Sequence, residues 1–200
     1  MDRDELVRLA GEKLASSIFR DAPTDVASLE ARPIGEFTGN EVRLFIYRDV
    51  LDELAFAASY RHEPSFAVLI GAFAVDDVGP FLEVTGFSRF QHIATLDTLY
   101  NSLKPELDDI VDEVSMQRTP EDHIVGVFVG ARGSGGKLSA EVARAHLSLF
   151  NVPYQVAVVS DPDASQLGVY ARPPASRFYN SPFWVVEVKG EEGERAGEEE

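Results

Sequence analysis

The 200-residue chain has no cysteine, two methionines and one tryptophan, and its 18 Lys and Arg are outnumbered by 34 Asp and Glu. Without cysteine, disulfides, thiolate metal sites and cysteine nucleophiles are excluded outright. A net charge of −16 repels phosphate backbones and anionic head groups, and no basic patch offsets it, so neither nucleic acid nor a membrane is an expected partner. No apolar run approaches the roughly 20 residues that a membrane helix requires. Asp2, Asp4 and Glu5 stand where a basic n-region would, so no Sec-type signal peptide is expected and the location reads as cytoplasmic. What is present suffices to fold. Hydrophobic residues make up 44% and aromatic ones 10%, classes in which disordered chains are poor, and the length fits one ordinary domain.

Leu6, Leu9, Ala10, Leu14 and Ile18 recur at helical spacing and predict a first helix to about Phe19. Arg20 to Asn40 holds Pro23, Pro33, Gly35 and Gly39 without a sustained period, so residues 1–40 read as a helix and a linking arm. From Glu41 the pattern turns to strand (Val42, Leu44, Ile46) and then to a helix capped by Asp49 and carrying Val50, Leu51, Leu54 and Ala58. Phe66 to Val75 and Phe81 to Phe87 flank a turn at Asp76 to Pro80 and predict a hairpin with a buried first strand. Leu96, Leu99, Leu103, Leu107, Ile110, Val111 and Val114 follow helical spacing, with Pro105 either kinking that helix or opening a second one. Strands are then expected at Ile124 to Val129, Gln155 to Ser160, Gly168 to Arg172 and Phe183 to Val188, with a serine-capped helix from Ser139 to Phe150. The domain therefore spans 41–188, and the Glu-rich tail at 189–200 is expected to be disordered, lacking apolar area to offset its ordering entropy. This alternation argues an α/β class with a mixed, curved sheet flanked by helices; the alternative is a doubly wound sheet with a phosphate loop at Gly130.

The glycine-rich loop Gly130 to Gly136 joins a strand to a helix, where backbone N–H groups can meet an anion and Lys137 can reach it. Its register departs from a P-loop. Ala131 stands five residues before Gly136, and Leu138 occupies the place of the magnesium-binding hydroxyl. Nucleotide or anion binding through 130–137 thus stands as an alternative to a plain flexible connection. Arg132 and Lys137, the only charges in the loop, and Ser139 beside it are the candidate loop contacts, suited to a peptide carboxylate or an acidic partner. Ser139 itself reads first as a helix N-cap, since no G-x-S-x-G elbow surrounds it.

Three consecutive pieces of sequence resemble the JAB/MPN domain, the fold of the JAMM zinc isopeptidases. They are Gly126-Val-Phe-Val-Gly-Ala-Arg132, Leu138-Ser-Ala-Glu-Val142 and Ala157-Val-Val-Ser-Asp-Pro162, standing where the family has G-[hydrophobic]-[hydrophobic]-H-S-H-P, L-S-x-x-D and A-V-V-x-D-P. The order of elements from Leu44 to about Arg172 is similar as well, and the resemblance implies a JAB/MPN fold of cytidine deaminase-like layout. The chemistry is not carried over. In the family's register the two His ligands fall on Val129 and Ala131, the Asp ligand on Val142, and the basic glutamate on Pro64 with Glu63 one residue off. Zinc needs lone pairs at about 2.0–2.2 Å, which alkyl groups lack, and of the family's site only Ser139 survives. The resemblance therefore implies a pseudoenzyme without metal or cofactor, a binding or scaffold module that pairs with a second copy or an MPN paralogue. A hydrolase with a rebuilt site is the remaining alternative.

The other candidates are plainer. His62, His92, His123 and His146 lie far apart and read as surface or capped histidines, His92 being the least bland because its connection runs near the family's active-site edge. Asp161 with Asp163, and Asp108, Asp109, Asp112 and Glu113, read as solvated acidic faces. The helices are expected to use their apolar stripes on the sheet, leaving little for a partner. Phe178, Phe183 and Trp184 are accordingly the expected partner-contacting residues, rigid aromatics beyond the family-like core.

Overall fold

The apolar runs become the three strands at the centre of the molecule, each bordered on both edges by other strands and covered on both faces. The computed structural model describes residues 20–21, 29–39, 41–60, 62–90, 99–117, 123–150, 152–173 and 177–187. The order along the chain is β1 (Arg20–Asp21), β2 (Ala31–Ile34), β3 (Arg43–Tyr47), α1 (Arg48–Tyr60), β4 (Ser65–Asp76), β5 (Gly79–Arg89), α2 (Leu99–Gln117), β6 (His123–Gly130), α3 (Ala140–Leu149), β7 (Val156–Asp161), β8 (Gln166–Ala171), β9 (Tyr179–Asn180) and β10 (Phe183–Val186). The strands form one sheet in the order β2-β10-β3-β5-β4-β6-β7-β8-β9, with β1 pairing parallel to the far end of β4. Besides β1/β4, the pairs β10/β3, β3/β5 and β6/β7 are parallel, and the remaining pairs are antiparallel. The class is therefore α/β with a mixed sheet, and the doubly wound alternative with its all-parallel sheet is corrected.

Alternation divides the core. On one face α1 buries Val50, Leu54 and Ala58 against Leu44, Ile46, Phe73 and Phe128. On the other, Leu103, Leu107 and Ile110 of α2 and Val142 and Ala145 of α3 cover Phe66, Val68, Val127 and Val129. The register of β4 against β6 slips between Leu69 and Ile70, which pair with Gly126 and Ile124, so Val125 is the extra residue of a bulge. That slip turns Val125 to the α1 face, out of phase with Val127.

Two sequence expectations change. The arm from Arg20 to Asn40 supplies β1 and β2, and Pro33 is tolerated because β2 is an edge strand whose other side needs no ladder donor. Of the two readings of Pro105 the second helix is excluded, because α2 runs through it as one helix, and Val111, expected on the apolar stripe, lies exposed. The helix expected before Phe19, His92, Leu96 and the acidic tail lie outside the described residues. Among the described residues no helix is long and apolar enough to cross a membrane.

Candidate functional site

The end of β6, the loop that follows it and the first turn of α3 carry the three positions at which the family resemblance places metal ligands. Val129, Ala131 and Val142 are all buried and belong to one apolar cluster with Phe66, Leu103 and Ala145. All three positions are therefore alkyl groups of the core on the α2 and α3 side of the sheet. Pro64 and Glu63 lie just before β4, Glu63 exposed to solvent. Among the described residues no group of three His, Asp or Glu side chains is arranged to hold a metal ion. Ser139 caps the start of α3: its extended backbone sets where the helix begins, and its Oγ accepts a hydrogen bond from Val142 N at 3.2 Å.

The glycine-rich loop is closely built rather than a slack connection. Its turns are closed by Ser134 N donating to Ala131 O at 3.3 Å and Lys137 N to Ser134 O at 3.1 Å. Gly135 N donates to Asp161 Oδ2 at 2.7 Å and Gly136 N to Ser134 Oγ at 3.2 Å, so the amides that an anion would require are already engaged. Tyr170 Oη donates to Gly136 O at 3.0 Å, and a Cβ on Gly168 would stand 2.1 Å from that same carbonyl oxygen. Only glycine permits the loop to lie this close on β8. Arg132 forms an ion pair with Asp163 and donates to Ser59 O at 2.7 Å, tying the loop to the β7–β8 turn and to the end of α1. Lys137 is exposed.

Asp161 is the residue that sequence reasoning placed wrongly. It is 2% exposed, not part of a solvated face. One carboxylate oxygen holds Gly135, and the other accepts from Asp163 N at 3.0 Å and Ala164 N at 3.4 Å, so a single side chain fixes both the glycine loop and the β7–β8 turn. The Gly135 amide first, then those of Ala164 and Asp163, hold its pKa below the ordinary carboxylate value, with burial opposing them. Its folded-state pKa being depressed, this contribution is present above the unfolded pKa and is lost as the pH falls through the folded one. Asp161→Ala is expected to speed amide exchange across residues 131–138 at neutral pH, measured by mass spectrometry, while exchange in β6 stays at the wild-type rate. Unchanged exchange in the loop would show that the glycine turns hold themselves.

Of the expected contact residues Phe178, Phe183 and Trp184, the structure corrects Phe183 alone, the other two being half-buried. Phe183 is 5% exposed and joins the α1-side core, leaving no area for a partner. Trp184 is partly buried, its ring stacked on Phe45 at 5.3 Å between centroids and tilted against Phe37 at 4.0 Å. Phe178 packs edge-on to His146 at 5.0 Å. His146 in turn is 1% exposed, against the expectation of a surface histidine, its ring also lies 5.2 Å from that of Phe150, and the Val156 backbone is near its nitrogens without ordinary hydrogen-bond geometry. Burial pushes its pKa down to about 4 and the charge of Arg172 adds to this, whereas the Val156 backbone opposes it.

No protein-family model and no curated protein matches the chain. Among solved structures it is similar to the solution structure of protein DSY2949 from Desulfitobacterium hafniense, with a TM-score of 0.50 and 10% identity over 74% of this chain and 94% of that one. At that identity the likeness concerns the arrangement of helices and strands alone.

Proposed function

We propose that the chain is a non-catalytic, cytoplasmic protein-binding module on a JAB/MPN-type sheet. The observation that carries this reading is the burial of Val129, Ala131 and Val142 in one apolar cluster. These residues stand where the resemblance places the zinc ligands, and alkyl side chains have no lone pair to offer a cation. The cluster is itself a reason for the fold to persist without metal, since it ties β6, α2 and α3 by hydrophobic burial in place of coordination bonds. Anion binding at 130–137 finds less support: the loop already encloses a carboxylate, Asp161, whose charge repels a phosphate from the same amides.

Metal analysis of protein purified without chelator tests the reading. The expected result is no stoichiometric zinc, and no release of a ubiquitin-like modifier from an isopeptide-linked substrate. Zinc at one equivalent per chain, lost on replacing His123 or His92 with Ala, would establish a rebuilt hydrolase site instead.

A further inference from the structure

The outer side of α1 differs from that of an ordinary surface helix. Phe56 and Tyr60, one turn apart, are 62% and 76% exposed with their rings tilted against each other at 4.7 Å between centroids, and Leu167 at the start of β8 is 39% exposed. Between the helix and the β7–β8 turn runs a groove of about 470 Å³, lined on its apolar side by Leu51, Ala55, Phe56, Phe128, Pro162 and Leu167. Its volume is that of a site able to take one or two large side chains. Asp52 lines the groove and Glu53 follows it on the helix, both exposed. The one cation of α1, Arg48, is bound to Glu187 at 2.6 Å, with Asp52 acting on it only at longer range, and among the described residues no ion pair forms on Asp52 or Glu53. Arg132, near the end of the helix, is held by Asp163 and Ser59 O.

Resting on the protein-binding reading, we propose that this groove receives an amphipathic basic segment of a partner protein, with a Leu- or Phe-type anchor against Phe56 and Leu167 and a Lys or Arg beside Asp52. Charge selects among the occupants. A second copy would bring the same acidic helix face and the same net charge of −16 to the contact, and like charges placed across an interface oppose it. A partner of opposite sign gains where a copy loses, and its apolar anchor covers rings that water otherwise solvates.

Titration of the full chain with three fluorescent peptides tests this: one of Leu, Phe and Lys at amphipathic helical spacing, one with Glu replacing every Lys, and one with Ala replacing every Leu and Phe. The first is expected to bind, and each of the others to bind about tenfold more weakly or worse. Phe56→Ser and Leu167→Ser, both at exposed positions and checked for a wild-type far-UV spectrum, should each weaken the first peptide by about fivefold or more. Asp52→Lys should weaken it to a similar degree and flatten its salt dependence. Equal binding of the Ala and Lys peptide, or indifference to all three substitutions, would reduce the effect to general charge attraction and overturn the groove assignment. Self-association in sedimentation that Phe56→Ser abolishes would also overturn it, giving the face to a second copy. Either failure, in a chain free of zinc, removes only the groove assignment; one equivalent of zinc with isopeptide cleavage removes the protein-binding reading itself.

Discussion

Gly126→Ala is expected to destabilise the protein by about 3 kcal/mol or more, seen as a lower urea midpoint at neutral pH. A Cβ at this position would stand 2.2 Å from Val156 O, a backbone atom of the neighbouring parallel strand that no side-chain rotation can move away. Relief requires β6 and β7 to separate, and both lie at the centre of the sheet with cores on either face. The same substitution at Gly133 provides the contrast. There φ is +73° but nothing lies within 4 Å of the added methyl, so only backbone strain of about 1–2 kcal/mol is expected. Equal effects at the two positions would mean that the β6/β7 pairing yields easily and that the glycine is not required for close approach.

Acid should act on the buried histidine. The His146 pKa lies at about 4 in the folded chain against an ordinary 6.5, so between these values the unfolded chain binds the proton more readily. Stability is therefore fullest above pH 6.5, declines as the pH falls toward 4, and loses about 3 kcal/mol to this one group. His146→Leu removes the titration together with two buried ring nitrogens that have no partner at ordinary hydrogen-bond geometry, the Val156 backbone being their nearest polar neighbour. The variant should match or exceed the wild type at pH 7 and keep more of its stability at pH 4.5, judged by urea midpoints. Carboxylates held below their ordinary pKa, Asp76 and Asp161 among them, also lose stability toward low pH, but equally in both proteins. Parallel loss in wild type and variant would place the acid sensitivity in those carboxylates.

Local patterns were the legible ones. The hairpin could be read because Asp76 and Gly79 supply its turn chemistry within four residues, with Asp76 Oδ1 accepting from Val78 N at 2.9 Å and Gly79 N at 3.0 Å. The Ser139 cap and the apolar length of β6 could be read for the same reason. The misreadings all depended on distant partners. Asp161 resembled any acidic strand end because the amide it holds lies 26 residues away in sequence. Phe183 resembled an interface aromatic because the continuous apolar run Phe183 to Val186 becomes a core signal only once β10 is known to lie between β2 and β3, covered on both faces. The groove beside α1 is formed by Phe56 and Leu167, whose proximity no window of sequence contains.

The position of β10 also orders events in time. It pairs parallel with β3 on one edge and antiparallel with β2 on the other, and Arg48 and Glu187, 139 residues apart, close the same corner with an ion pair. As the chain leaves the ribosome, β3 can dock on β5 early, but its other edge stays open and β2 has no neighbour until Phe183 to Val186 emerge. A nascent chain therefore carries an unpaired strand edge through most of its synthesis, the kind of surface that holdase chaperones cover. Sealing it is a late and long-range step, which makes the last strand the natural limit on how fast the whole sheet becomes resistant to proteolysis.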